Sequence, residues 1–242
     1  MPRALIVIGC GPGIGVHVAS YFASQGFSKI ALMARNQDQL KKDCETVKKA
    51  RADATVKTYA VDVTDSAALR RVLADIKDDL GPPEAVFFNA ARVRPSTLLE
   101  VEDEELLYDY KISTVALHQT AKWAIPQLID LAKEDHSARP SLLVTSTHLP
   151  WDPEPSSFVL SIAKAAQRNL TESLAKVFHC EGVHFGLVTL AGMVTPKNTV
   201  LNPENVAKKT YELYAQEQGS WALETYMREP GPWRGMVLPD SK

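Results

Sequence analysis

The sequence predicts one α/β domain built as a doubly wound parallel sheet of about seven strands with helices on both faces. Three observations carry this expectation. Short apolar runs alternate with amphipathic stretches along the whole chain, a glycine-rich turn joins the first apolar run to the first helical pattern, and no repeat or low-complexity linker divides the 242 residues. That length suits a single domain with a full-size core.

The elements follow in order. Strands are expected near 3–9, 28–34, 55–61, 84–89, 141–147, 183–190 and 220–228. Helical patterns near 14–25, 36–51, 65–79, 103–133, 156–181 and 203–217 lie between them, with Asp65 and Ser156 as N-caps and Gly26, Gly81 and Gly182 as stops. Such alternation implies right-handed crossovers and strands buried on both faces, and it places ligands at the strands' carboxyl ends. The proline-dense stretch Pro150-Trp151-Asp152-Pro153-Glu154-Pro155 follows the fifth strand, where a loop overhangs the ligand crevice.

The first strand, Arg3 to Ile8, runs into Gly9-Cys10-Gly11-Pro12-Gly13-Ile14-Gly15 and then into a helix closed by Gly26. This is the order of a phosphate-binding turn. Its glycines make the tight turn off the strand, let the backbone touch a pyrophosphate, and pack the helix start so that free N–H groups face the anion. Gly9, Gly13 and Gly15 give G-x-x-x-G-x-G rather than G-x-G-x-x-G. A Rossmann domain that binds a dinucleotide is therefore expected over 1–242.

Composition narrows the partners. A formal charge of -2 and a hydrophobic share of 45% give no sign of nucleic acid, a membrane surface or disorder, so a small-molecule substrate is expected. Cys10, Cys44 and Cys180 are odd in number and far apart, without metal-ligand spacing, which predicts a reducing compartment and no zinc or other metal site. The apolar run after Pro2 is too short for a signal segment or a membrane span and reads as the first strand, so a cytoplasmic location is expected.

From end to end the chain resembles a short-chain dehydrogenase/reductase. Gly9, Gly13 and Gly15 match that family's cofactor turn, Asp62-Val63 match its adenine-contacting pair, and Asn89-Ala90-Ala91 resemble its Asn-Ala-Gly. Gly192-Met193-Val194-Thr195-Pro196 resembles the loop that reaches the nicotinamide. The end, Ser220 to Pro230, is similar to a subgroup with a Trp-x-x-Glu-x-x-x-Arg last strand. The resemblance also implies a homodimer or homotetramer formed through the helices near 103–133 and 156–181.

Cofactor choice is read at the end of the second strand, where a carboxylate usually holds a 2′-hydroxyl and repels a 2′-phosphate. The residues there are Ala34-Arg35-Asn36. Arg35 is suited to stack on adenine and pair with the phosphate and Asn36 to donate to it, so NADP(H) is expected ahead of NAD(H).

The resemblance breaks down at the catalytic positions. Lys164 matches the family's lysine, but four residues earlier, where the family has its tyrosine acid, stands Leu160. Thirteen residues before that, Thr147 occupies the family's serine position, and Ser113 falls at its asparagine. Lys164 keeps a use without the tyrosine, because its ammonium can hold nicotinamide ribose hydroxyls. His148 is a candidate proton donor, although successive residues on a strand point opposite ways, so only one of Thr147 and His148 faces the cofactor unless the strand has ended. Asp152, Glu154 and Arg92 are read as solvated surface groups, and His17, His118 and His179 as packing or surface residues. Three functions stay open at this point. They are an NADP(H)-dependent oxidoreductase with an atypical acid, a non-redox lyase, isomerase or cyclase on the same fold, and an inert dinucleotide-binding protein.

Overall fold

The structure, a computed structural model, describes residues 3–229. Pro230 of the terminal motif, with residues 1–2 and 231–242 of the expected domain, lies outside the described residues. The chain runs β1 (Ala4–Ile8), α1 (Ile14–Ser24), β2 (Lys29–Ala34), α2 (Gln37–Ala50), β3 (Thr55–Ala60), α3 (Ser66–Leu80) and β4 (Ala85–Phe88). It continues through α4 (Asp103–Tyr110), a π turn (Lys111–Val115), α5 (Ala116–Glu134), β5 (Ser141–Thr147), α6 (Phe158–Phe178), β6 (His184–Ala191), α7 (Pro203–Tyr214) and β7 (Glu224–Arg228).

All seven strands pair in parallel in the order β3-β2-β1-β4-β5-β6-β7. The order reverses at β1 and β4, which opens the crevice expected of a doubly wound sheet at their carboxyl ends. Alternation along β1 explains the two cores. Leu5 and Val7 pack with Phe22, Phe27, Leu213 and Tyr214 on the α1 and α7 side, whereas Ile6 and Ile8 pack with Leu69, Leu73, Leu117 and Leu128 on the other. Each such side chain contributes roughly 1.5–3 kcal/mol by leaving water. No helix among the described residues is long and apolar enough to cross a membrane.

Caps and breaks follow local chemistry, with three departures from the sequence expectation. Asp65 Oδ1 accepts from the Ala67 and Ala68 amides, both at 2.9 Å, and Gly81 ends α3 at φ +83°. Ser156 does not cap α6: its amide and hydroxyl both donate to Glu154 Oε1, and the helix starts two residues later, after Ser157. The expected single helix over 103–133 is interrupted by the π turn, and β7 begins at Glu224 rather than 220. Trp221 is held outside that strand, its indole donating to the Gln216 carbonyl at 3.1 Å and its ring stacked on His184.

Candidate active site

The glycine turn is shaped by close approach. Gly9 has φ +86°, and a Cβ there would sit 2.5 Å from the Ala90 nitrogen, so no other residue fits without displacing the end of β4. A Cβ on Gly15 would meet the Cys10 Cα at 2.8 Å, which is how α1 packs tightly onto the turn. Gly13 faces open space, no side chain caps α1, and no acidic residue sits in its first turn. A helix start left free of anionic groups, beside backbone without side chains, fits a dinucleotide's pyrophosphate.

Three strands hold this turn. The Gly9 and Cys10 amides donate to the Met33 carbonyl at 2.9 and 2.8 Å, and Asn89 Nδ2 donates to the Gly9 carbonyl at 2.9 Å. Thr145 Oγ1 in turn donates to Asn89 Oδ1 at 2.7 Å. Asn89 is thereby a brace of the cradle.

On one side of the turn lies a cavity of about 380 Å³ whose lining includes Gly9, Arg35, Asn36, Asp62, Val63, Asn89, Ala90 and Ala91. Asn36 Oδ1 caps α2 by accepting from the Asp38 and Gln39 amides, which leaves its NH₂ group as a donor. Asp62 Oδ1 accepts from the Thr64 amide and hydroxyl at 2.9 and 2.8 Å. Burial raises the Asp62 pKa, but the Thr64 donors, Arg35 and the Tyr108 hydroxyl outweigh it, so the carboxyl lies below its usual range. Tyr108, outside the lining, links two of its residues, accepting from Arg35 Nη1 at 3.2 Å and donating to Asp62 Oδ2 at 3.4 Å. Cys10 also lines this cavity, but burial and the Asp43 carboxylate push its thiol pKa up, so it serves as packing rather than as a nucleophile.

On the other side is a cavity of about 650 Å³ bounded by Gly13, Ile14, Gly15, Thr147, His148, Leu160, Lys164, Gly192 and Val194. Ser113 and Thr195 stand outside both linings. Lys164 is buried, and its Nζ donates to the Thr145 carbonyl and to Gln167 Oε1, both at 2.8 Å. Gln167 Nε2 donates onward to the Ser113 carbonyl in the π turn at 3.1 Å, so Ser113 contributes its backbone to the network. Burial pushes the Lys164 amine down to about 7.

Thr147 and His148 both line the cavity, because β5 ends at Thr147 and strict alternation ends with it. The Thr147 hydroxyl accepts from the Leu149 amide at 3.3 Å, leaving its proton to donate elsewhere. Burial lowers the His148 pKa, partly offset by a backbone hydrogen bond to Leu190. Leu160 forms cavity wall one helical turn before Lys164.

Of the groups read as solvated surface, Arg92 proves otherwise, being half-buried and ion-paired with Asp109 at 2.5 Å and Glu105 at 3.2 Å, whereas Glu154 is exposed, at the cavity rim. Asp152 is not part of the lining. His118 is exposed, His17 binds the Gly13 carbonyl at 2.7 Å, and His179 meets Trp221 edge-on.

The family model described as short chain dehydrogenase matches residues 3–206. The chain belongs to this family. Among its relatives, short-chain dehydrogenase/reductase 3 of Homo sapiens is 26% identical over 220 residues, covering 86% of this chain and 70% of that protein. L-Sorbose reductase of Gluconobacter frateurii, solved with NADPH and L-sorbose, superimposes with a TM-score of 0.84 at 17% identity over 97% of each chain. A short chain oxidoreductase of Pseudomonas aeruginosa PAO1, described as containing an atypical catalytic center, gives a TM-score of 0.77 at 20% identity over 88% of this chain and 90% of that one.

In this short-chain dehydrogenase the terminal motif anchors the wall of the larger cavity. Arg168 on α6 pairs with Glu224 on β7 at 2.6 Å, and its guanidinium lies 4.0 Å over the Trp151 ring. Glu224 also accepts from the Tyr226 and Thr189 hydroxyls. The proline-rich loop that carries Glu154 is thereby tied to the last strand.

Proposed function

We propose that this protein is an NADP(H)-dependent oxidoreductase acting on a carbonyl or hydroxyl compound, with an active site in which Leu160 stands at the family's tyrosine position. The observation that carries this reading is that Thr147, His148, Leu160 and Lys164 share one cavity with the glycine turn. Family membership supports the redox reading over a lyase, isomerase, cyclase or inert binder, and that warrant is analogy. Arg35 and Asn36 supply donors without a carboxylate at the strand end, which favours a 2′-phosphate, and the sorbose reductase of the same fold was solved with NADPH. Asp62 and Val63 are assigned to the adenine, and Asn89, Ala90, Ala91, Gly192, Val194 and Thr195 to the rest of the dinucleotide.

The cofactor supplies the hydride. Thr147, its lone pair engaged by Leu149, donates a hydrogen bond to the substrate oxygen without losing its proton, and Lys164 orients the nicotinamide ribose. His148, in the same cavity lining, is assigned as the donor of the one proton that the oxygen takes up. Ser113 contributes through its carbonyl, which fixes Gln167 and through it Lys164.

We also assign a homodimer or homotetramer. Leu107 and Tyr110 on α4 and Ile162 on α6 are exposed apolar side chains on two helices that touch, which supports an interface there. Sedimentation showing a monomer at micromolar concentration would refute it.

Calorimetric titration with NADPH and NADH, followed by NADPH oxidation with a panel of ketones and aldehydes, tests the main reading. Binding of NADPH with turnover of at least one carbonyl class is the expected result. Failure to bind either dinucleotide would overturn it.

A further inference from the structure

The larger cavity changes character away from the glycine turn. Near α1 it is backbone, whereas across from it stand Val93, Leu149, Leu160, Leu190, Met193 and Val194. Val93 and Met193 line the cavity yet are 68% and 71% exposed, so its lip is apolar as well as its wall. Two large apolar side chains turned outward around one opening mark a surface that a ligand covers.

Charge points the same way. Among the described lining residues the cationic groups are Lys164, buried with its amine committed to Thr145 and Gln167, and His148, which burial disfavours in its charged form. Glu154 is the one carboxylate among the described lining residues, exposed at the rim. A substrate carboxylate or phosphate entering here meets no permanent cation that is accessible, a histidine whose charged form burial disfavours, and one like charge.

We infer that the substrate is a neutral, lipophilic ketone or aldehyde, or the corresponding alcohol, seated with its oxygen at Thr147 and its hydrocarbon portion against Leu149, Leu160 and the Val93–Met193 lip. This rests on the oxidoreductase reading. In reduction the carbonyl carbon gains a hydride from NADPH and the oxygen gains a proton, and the alcohol and NADP⁺ leave.

The test is binding of unbranched methyl ketones of increasing length to the NADPH-loaded protein, read by calorimetry. Each added methylene should tighten Kd by about 3- to 4-fold until the cavity is filled, corresponding to ~0.8 kcal/mol per buried CH₂. A keto acid should bind at least about tenfold more weakly than its methyl ester, and Glu154→Gln should narrow that gap. Met193→Ser and Val93→Ser, at exposed positions, should flatten the length dependence without lowering the unfolding temperature. Affinity that does not change with chain length, or a keto acid that binds better than its ester, overturns the inference. Length-dependent binding without NADPH oxidation in either direction would leave the lipophilic site standing and sink the redox reading. Turnover of short or charged carbonyls with no length dependence would do the reverse.

Discussion

Lys164 and Gln167 lie one helical turn apart on α6, and the lysine amine donates to the glutamine carbonyl at 2.8 Å inside the protein. Neither acceptor of that amine is ionised, the other being the Thr145 carbonyl at 2.8 Å. Nothing in this pair offsets the desolvation of an ammonium, and the amine is held at about 7 against an ordinary 10.5. Between those two values the unfolded chain binds a proton that the folded one does not. Stability should therefore rise with pH across that window, by about 1.4 kcal/mol per unit, with the full penalty present below it. Chemical unfolding of the protein and of Lys164→Met at several pH values isolates this contribution. A difference between them that is independent of pH would show that Lys164 stays charged.

Gln167 gives a sharper version of the same argument. Gln167→Leu removes a donor from the Ser113 carbonyl and leaves the Lys164 amine with Thr145 as its remaining acceptor, a loss of roughly 1–3 kcal/mol per group. Gln167→Glu should instead give the amine a carboxylate, raise its pKa and remove the pH-dependent component. If both variants lose stability equally and keep the slope, Gln167 is filler rather than a positioning residue.

Arg35 lines the smaller cavity with Asn36 and donates to the Tyr108 hydroxyl at 3.2 Å. A 2′-phosphate offers it a charged partner in place of a neutral one. NADPH should bind more tightly than NADH, and Arg35→Asp should reverse the order. Equal affinities in the unmodified protein would remove the basis of the claim.

What the sequence disclosed and what it hid divide along the distance over which each feature is determined. The cradle was legible because Gly15 answers a backbone constraint set by Gly9 and Cys10, a few residues away, and Asp65 caps α3 through amides two and three positions away, whereas the approach of Ala90 to Gly9 spans the sheet. Ser156 misled because Glu154, equally near, captured the groups that would have capped α6. Gln167 and Tyr108 were missed altogether. Their partners lie 54 and 73 residues away, at Ser113 and Arg35, so only the packed sheet brings them together. Gln167 did carry a faint signal, a polar residue one turn beyond Lys164 on the helix face that also holds Leu160, Ala163 and Thr171.

His148 titrates below the ordinary histidine value of 6.5, chiefly because it is buried. If it protonates the product oxygen, carbonyl reduction should slow as pH rises through that lowered pKa, since the imidazolium is the donating form. His148→Gln should lower the rate and flatten the profile. An unchanged profile in that variant would exclude His148 as the donor.

Leu160 poses the most direct question about the chemistry. It is 6% exposed, forms cavity wall beside Thr147, and precedes Lys164 by one turn. General acid catalysis typically contributes about 10²–10⁴ in rate, or roughly 3–5.5 kcal/mol, so a site without a strong acid is slowed rather than abolished. Activity on ordinary carbonyl compounds should accordingly be low. Leu160→Tyr should raise it by about one to three decades when assayed at or below about pH 7, where the Lys164 amine one turn away still carries the proton whose charge lowers a phenol's pKa, and where Thr147 lines the same cavity. Overpacking would cost about 1–3 kcal/mol, but the cavity beside Leu160 offers room for the ring. NADPH oxidation with a carbonyl panel, before and after substitution, decides the matter, with thermal unfolding and NADPH binding as controls. Fast turnover by the unmodified protein would mean that His148 or another group already donates efficiently. No gain in a variant that folds and binds NADPH would mean that the pocket around Leu160 is built for a reaction that needs no acid at that position.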